Sequence, residues 1–234
     1  MMDVRDLALQ TACPVIAAPR FGSLPGMANG QRIILAANGV FVQVKLDWLD
    51  CIQHLSPALP IPLPYGGIEE RLAFTFGVLP IRLIEDFIAA GRRGLPNEVA
   101  GALIYSRRSQ SLRLALCEPI VVSPHQIDYR VPAMDADETL AVDLHTHGYG
   151  RPFWSAKDDG DDQGIKVAGV FGCLQQPKPQ ALFRLVVNGR FSPLPHPWQA
   201  DTDTAYDVAP DLEPGLLRRI LNFYQGRRFG PWNI

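Results

Sequence analysis

The alternation of apolar and polar residues predicts a chain of many strands with two helices. Two Asn-Gly pairs, Asn38-Gly39 and Asn188-Gly189, each lie between apolar runs rich in β-branched residues. Asn-Gly in this setting is the strongest short-range hairpin signal, because both turn residues must adopt positive φ. The strands predicted around these turns are residues 32–37 and 40–46 for the first hairpin, and residues 182–187 and 190–194 for the second.

Helical spacing of apolar residues occurs in two places. Ile81, Ile84 and Ile88 recur one helical turn apart with charged residues between them, which predicts an amphipathic helix over residues 79–91. Glycine and proline follow and end it. A second set of leucine and isoleucine residues at the same spacing predicts a C-terminal helix over residues 212–225.

The segments between the first helix and the second hairpin are expected to be extended: residues 98–106, 111–122, 126–131, 139–145 and 166–174. A helix followed by many strands predicts an α+β domain around a mostly β core. Upstream, four prolines hold the chain extended, which predicts a connector over residues 55–67. We therefore expect a small β-containing N-terminal region, residues 1–75, and a domain of residues 76–234 that includes the C-terminal helix.

Composition places the chain among globular proteins and narrows its partners. Of the 234 residues, 47% are hydrophobic and 20% charged, which excludes disorder throughout. A net charge of −2 supplies no basic field for nucleic acid. No apolar run is long enough to span a membrane, and the N-terminus does not resemble a signal peptide. The four cysteines form no C-x-x-C pair, so we expect buried thiols and a cytoplasmic location.

The stretch around residues 143–158 contains the strongest chemical signal. His145 and His147 are two residues apart, so on a strand both imidazoles lie on one face. Asp158 follows after a loop that contains glycine and proline and is long enough to bring a carboxylate back. Two imidazoles and one carboxylate suit Zn²⁺ with a fourth position open to water, whose pKa the metal would lower.

The order His-x-His, seven residues, Ser, two residues, Asp resembles the JAMM signature of the MPN (JAB) metalloprotease family, here His145, His147, Ser155 and Asp158. The family also needs a glutamate on the strand after its first helix, and Glu98 stands in the corresponding place. The resemblance covers about residues 79–195. It implies an MPN/JAB-type, cytidine-deaminase-like α+β fold with a mixed β-sheet core flanked by helices.

The resemblance also implies a role for each residue. His145, His147 and Asp158 would bind zinc, and Glu98 would move a proton from the attacking water to the leaving amine. Ser155 would donate a hydrogen bond to the oxyanion of the tetrahedral intermediate. The implied activity is that of a zinc metallopeptidase, a deubiquitinase-like hydrolase that cleaves a peptide or isopeptide bond after the C-terminal tail of a ubiquitin-like protein.

A looser resemblance concerns the acidic segment after Asp158, which contains Asp159, Asp161 and Asp162. It is similar to prokaryotic JAB proteins of the ParB-related, ThiF-related (PRTRC) cassettes, which implies an E1-like, ThiF-type enzyme as a further partner. The chain departs from the family pattern at Gly148, where many members have proline, and this is expected to loosen the loop after His147.

Several alternatives stay open at this stage. Asp143-Leu-His145-Thr-His147 also resembles the opening of polymerase-and-histidinol-phosphatase-type phosphoesterases, although that fold needs more downstream ligands than His196 alone. A second alternative is a non-catalytic MPN-type scaffold. Asp143 is either a partner that orients an imidazole or a surface charge. The acidic residues 159, 161 and 162 are expected to form a solvated loop, with a role near the metal as the alternative. Trp154 either lines the site or packs.

Overall fold

The computed structural model describes residues 2–57 and 63–195. Its three helices are α1 (Val4–Ala12), α2 (Ile81–Gly94) and α3 (Ala156–Asp161). Its thirteen strands are β1 (Val15–Ala17), β2 (Gly30–Ala36), β3 (Gly39–Lys45), β4 (Leu49–Pro57), β5 (Arg71–Phe74), β6 (Ala100–Ser106), β7 (Ser111–Leu116), β8 (Glu118–Ser123), β9 (Gln126–Arg130), β10 (Glu138–Thr146), β11 (Ile165–Gly172), β12 (Gln180–Val187) and β13 (Arg190–Leu194). The α+β class is confirmed, and the predicted C-terminal helix and His196 lie outside the described residues.

The described chain divides into two compact units. The first contains the residues up to 83 together with residues 103–113 and 133–141, and the second contains residues 84–102 and 114–132 and the described residues from 142 on. The domain boundary after residue 75 stays a prediction. No helix within the described ranges is both long and apolar enough to cross a membrane.

The N-terminal strands form a five-stranded sheet in the order β1-β2-β3-β4-β5. β1 runs parallel to β2 and the other neighbours are antiparallel. One face of this sheet carries a buried apolar cluster, Ala18, Ile34, Ala36, Phe41 and Ile52. Strand β4 extends to Pro57, so the predicted connector begins later than residue 55. The apolar pattern did not predict α1, β1, β4 or β5.

The first predicted hairpin is present, but its turn lies one residue earlier. Ala36 pairs with Gly39, so Ala37 and Asn38 form the turn and Gly39 begins β3. The Asn38 side chain bonds both backbone groups of Ile68 instead of supporting a positive φ. The second hairpin follows the prediction, with Asn188 at φ 50° and Gly189 at φ 79° between β12 and β13.

A six-stranded sheet has the order β13-β12-β11-β10-β6-β7. It is mixed, because β10 pairs parallel with β11 whereas β11, β12 and β13 are antiparallel. The predicted helix is α2, which ends at Gly94 rather than residue 91. Within the second unit, Phe87 of this helix contacts Phe171 of β11 edge-on, at 5.5 Å between ring centroids. Gly101 of β6 lies beneath Phe87, where an added Cβ would be 2.9 Å from the ring.

The run predicted as one strand over residues 111–122 is two strands, β7 and β8, separated at Cys117. The Cys117 amide donates to the Ala100 carbonyl, and β8 then leaves this alignment to pair with β9 in a separate two-stranded sheet. The chain returns at Ser123, whose carbonyl accepts from the Glu98 amide. The β8–β9 hairpin is therefore anchored beside the residues that precede β6.

Replacing Gly39 with alanine should destabilise the N-terminal sheet. Gly39 has φ 142°, and an added Cβ would lie 2.4 Å from the Ser56 carbonyl oxygen. We expect a loss of about 2–3 kcal/mol or more in the free energy of unfolding, measured with urea. Gly189→Ala is the matched control, because it changes the glycine of the other Asn-Gly pair at a position with open space. The control should lose about 1–2 kcal/mol, and equal losses in the two variants would contradict the packing argument.

Candidate metal centre

The end of β10 directs both imidazoles to one side of the sheet. His145 is in β10, and His147 continues it, with its amide donating to the Phe171 carbonyl at 2.7 Å. The intervening Thr146 is fully buried, and its hydroxyl oxygen accepts from the Val99 amide at 2.9 Å. An added Cβ on Gly91 of α2 would be 3.0 Å from the Thr146 methyl group. Because Thr146 packs against α2, its neighbours His145 and His147 lie on the opposite face of the strand.

Three possible ligand atoms lie close together beside the end of β10. The Nε2 atoms of His145 and His147 are 3.2 Å apart. The Nε2 atom of His145 is 3.4 Å from Oδ1 of Asp158. All three ligand atoms lie within 4.8 Å of one another. Nδ1 of His147 is 3.3 Å from the Arg151 carbonyl oxygen. Because a carbonyl only accepts, Nδ1 carries the hydrogen and Nε2 keeps its lone pair.

Helix α3 holds Asp158 through a capping box. Ser155 is the N-cap, and Oδ2 of Asp158 accepts from both the amide and the hydroxyl of Ser155, each at 2.7 Å. The Asp158 amide donates in return to the Ser155 hydroxyl oxygen at 3.1 Å. These bonds occupy Oδ2 and leave Oδ1 directed at the imidazoles. Serine directly before the first helical residue, with an acidic residue three positions later, is a standard capping choice, so the Ser-x-x-Asp part of the motif is also a folding signal.

The environment favours the uncharged imidazoles and the ionised carboxylate. Burial lowers the pKa of His145, although Asp158 acts in the opposite direction. Burial also lowers the pKa of His147, and His145 adds to that effect. For Asp158, burial raises the pKa, but His145 and the Ser155 hydrogen bonds outweigh it and the net shift is downward. Each of the three donors thus has an available lone pair at neutral pH.

Glu98 lies in the same cleft, two residues before β6. It is only 7% exposed. Burial raises its pKa to about 7, with the Asp158 carboxylate adding to the rise and Lys157 opposing it. A carboxyl group with a pKa near neutrality can both accept and release a proton there.

The cleft has a volume of about 460 Å³. It brings together all five residues singled out from the sequence: Glu98, His145, His147, Ser155 and Asp158. The β8–β9 hairpin contributes His125, Gln126 and Ile127 to its wall. No sequence pattern indicated these three residues, because only the hairpin fold brings them to the cleft.

A buried ion-pair network lies next to the three ligands. Asp143 accepts from the Tyr129 hydroxyl at 2.8 Å and from Lys166 at 2.7 Å. Lys166 is also 2.9 Å from Asp162, which in turn accepts from Arg184 at 2.6 and 2.8 Å. The hydrogen-bond partners of Asp143 among the described residues are Tyr129 and Lys166 rather than an imidazole, and the surface-charge alternative for Asp143 is wrong. So is the solvated-loop prediction for Asp162, since both carboxylates are buried.

Arg184 links this network to α3. Its Nη1 is 2.6 Å from Asp159, which is half exposed. Its guanidinium carbon lies 3.9 Å from the ring centroids of both Trp154 and Phe191. Trp154 therefore packs on Arg184, and it also approaches His145 edge-on with centroids 6.3 Å apart. A lysine inside the otherwise apolar strand β11 is the one sequence signal that could have indicated this network.

The loop after His147 is a fixed turn. Gly148 has φ 53°, and an added Cβ would lie 2.9 Å from the Pro96 carbonyl oxygen. Proline, with φ near −65°, could not adopt this conformation. The Cys173 and Leu174 amides donate to the carbonyls of Gly150 and Gly148 at 2.7 and 3.0 Å. Glycine at position 148 thus allows a tight, hydrogen-bonded turn, which corrects the expectation of a loosened loop.

Removing Arg184 should destabilise the second unit strongly. Arg184→Met keeps most of the apolar volume but leaves Asp162 and Asp159 without their guanidinium partner. We expect a loss of about 3–5 kcal/mol in the free energy of unfolding by urea, as for other broken buried pairs. Arg130→Met is the matched control, because Arg130 pairs with Glu118 at the surface of the same unit, with side chains 71% and 73% exposed, and such pairs contribute about 1 kcal/mol or less. Similar losses in the two variants would show that the buried network is not stabilising.

In comparisons with known proteins, two family models match separate parts of this chain. Residues 80–186 match the family model described as prokaryotic homologs of the JAB domain. Residues 3–75 match a domain of unknown function, DUF2016. The search of curated proteins found no match. Among solved structures, the solution structure of protein DSY2949 from Desulfitobacterium hafniense is similar, with 16% identity and a TM-score of 0.39, over 54% of this chain and 94% of that chain. The match over residues 80–186, slightly less than half of the chain, shows that this part is similar to the prokaryotic homologs of the JAB domain.

Proposed function

We propose that the protein is a zinc-dependent peptidase of the JAMM type. The observation that carries the proposal is the convergence of His145, His147 and Asp158 to within 4.8 Å, in one cleft with Glu98 and Ser155. The family match over residues 80–186 supports the same reading. The described residues contain one such ligand group, whereas a phosphoesterase of the polymerase-and-histidinol-phosphatase type needs several.

The donor set fits zinc in both chemistry and size. Two ligands about 2.05 Å from a tetrahedral zinc are about 3.3 Å apart. The observed separations are 3.2 Å between the two Nε2 atoms and 3.4 Å from His145 to Asp158. His145, His147 and Asp158 would therefore hold the ion. When bound, zinc supplies a Lewis acid and lowers the pKa of a water molecule.

Glu98 is the proposed proton carrier. It is buried in the cleft and its pKa is raised to about 7, so it can take a proton from the attacking water and return it to the leaving amine. Ser155 has two proposed roles. Its hydroxyl donates to Asp158 in this structure, which positions a ligand. To donate to an oxyanion instead, the hydroxyl must rotate away from Asp158 during the reaction.

The proposed substrate is a ubiquitin-like protein whose extended C-terminal tail enters the cleft. Strand β8 supports this proposal because it is a short, exposed strand with Ile120, Val121 and Val122 between 45% and 63% exposed, and its hairpin lines the cleft. An extended peptide can add to such an edge through backbone hydrogen bonds. Phe153, 57% exposed beside His147, offers a further apolar contact.

The proposed location of the protein is a prokaryotic cytoplasm. All four cysteines are free thiols, three of them buried, as expected in a reducing compartment. An E1-like, ThiF-type enzyme that activates the same ubiquitin-like tail is the proposed second partner. The net charge of −2 gives no support to a nucleic-acid partner.

The first test is metal content. The protein purified without chelator should contain one zinc per chain by elemental analysis, and His147→Ala should lose it because two ligands rarely retain zinc. His125→Ala is the matched control, since His125 lines the cleft but is not in the ligand group, and it should keep the metal. Absence of zinc in the wild type even after zinc is added would contradict the proposal.

The second test separates metal binding from chemistry. Glu98→Gln should keep zinc and lose cleavage of ubiquitin-like tail fusions, because the amide cannot accept a proton. Ser155→Ala should slow turnover by about 10²–10³ if its hydroxyl donates to the oxyanion. Loss of zinc from Ser155→Ala would assign it to positioning Asp158 instead. Products are read by gel and mass spectrometry. A zinc-loaded wild type that leaves every fusion intact would favour the scaffold alternative.

A further inference from the structure

A second cleft, of about 330 Å³, lies within the first compact unit. It opens at one end of the N-terminal sheet and is covered by the loop of residues 23–27. Four charged side chains and one amide line it: Arg32, Gln43, Lys45, Asp50 and Arg71. They come from four neighbouring strands, β2 to β5.

The cleft is the polar continuation of an apolar sheet face. Arg32 is two residues before Ile34 on β2, so both side chains lie on the same face. Gln43 is the cross-strand partner of Arg32, as Phe41 is of Ile34. Lys45 pairs with Asp50, and Ile52 pairs with Arg71. A group of charged side chains thus lies directly next to the buried apolar cluster, on the same face of the sheet.

Arg32 is a buried cation that makes no ion pair with a carboxylate within the described part of the chain. It is 5% exposed. Its Nε donates to the Gln43 side-chain oxygen at 2.9 Å and its Nη2 to the Pro25 carbonyl at 2.7 Å. Both acceptors are neutral, and burial lowers the pKa of Arg32, although the Asp50 carboxylate opposes this shift. A buried charge is costly unless an opposite charge compensates it.

The one carboxylate of the cleft is already engaged. Both oxygens of Asp50 accept from Arg71 at 2.8 Å. Lys45 is half-buried and makes no ion pair or hydrogen bond through its side chain within residues 2–57 and 63–195. Three cations therefore face one carboxylate, and the two that are not paired, Arg32 and Lys45, line the same cavity.

We propose that this cleft binds the oxyanion group of a small organic acid, a carboxylate or a phosphate, between Arg32 and Lys45. The volume is at the lower end of the range for small-molecule sites, and Leu24, Pro25 and Met27 of the covering loop offer apolar contacts to the rest of the ligand. The bond from Arg32 to Pro25 links the loop to the ligand-binding guanidinium. The site is separate in residues and chemistry from the proposed metal centre.

The test is calorimetric titration of the full-length protein with inorganic phosphate and, separately, with succinate. We expect the wild type to bind at least one of them with a dissociation constant below about 10 mM, and more weakly as salt is raised. Binding of phosphate alone identifies a phosphate ligand, and binding of succinate alone identifies a carboxylate ligand. Binding of both assigns the site to oxyanions in general.

Lys45→Gln should weaken this binding about 10–100-fold, the loss expected for one charge-assisted hydrogen bond. Arg82→Gln is the control, because it makes the same charge change at an exposed position of α2 and should bind like the wild type. Arg32→Lys, which keeps the charge but removes the guanidinium fork, should also weaken binding. If neither anion binds the wild type, or if Lys45→Gln binds as tightly as Arg82→Gln, the proposal is wrong.

Discussion

The site depends on holding three possible metal ligands close together on one side of the sheet. The His145 and His147 Nε2 atoms are 3.2 Å apart, and Oδ1 of Asp158 is 3.4 Å from the first of them. The surrounding fold imposes this arrangement, because the two imidazoles lie on one face of the chain at the end of β10 and a capping box holds the carboxylate. A cation between the donors would attract all three, and these two separations equal the edge of a tetrahedral zinc site to within about 0.1–0.2 Å.

Two pieces of structure impose it. The parallel pairing of β10 with β11, continued by the His147 amide, fixes the two imidazoles. The Ser155 capping box fixes Asp158 and leaves only one of its oxygens free. Arg184 of β12 joins Asp159 and Asp162 to the sheet, so the helix that carries one ligand is tied to the same sheet that carries the other two. The ligand set is thereby prepared before any metal arrives, which is how binding sites avoid an ordering cost.

The parts that sequence could predict are those determined by local spacing. The His-x-His pattern on a strand, the amphipathic α2 and the Asn188-Gly189 turn each depend on residues a few positions apart. The first hairpin was predicted with its turn one residue late, because the Asn38 side chain bonds Ile68, thirty residues away. The pairing of Asp162 with Arg184 and of Asp143 with Lys166 was missed for the same reason. Such partners meet only through sheet register, and an isolated aspartate in a sequence is as compatible with solvent as with a buried network.

The most direct measurement is anomalous diffraction at the zinc absorption edge from crystals of the zinc-loaded protein. The account predicts one peak per chain at the point shared by Nε2 of His145, Nε2 of His147 and Oδ1 of Asp158, about 2.0–2.2 Å from each, with the Ser155–Asp158 hydrogen bonds unchanged. A peak elsewhere, or a peak here that requires Asp158 to abandon Ser155 and use Oδ2, would contradict the claim that the fold prepares this ligand set in advance.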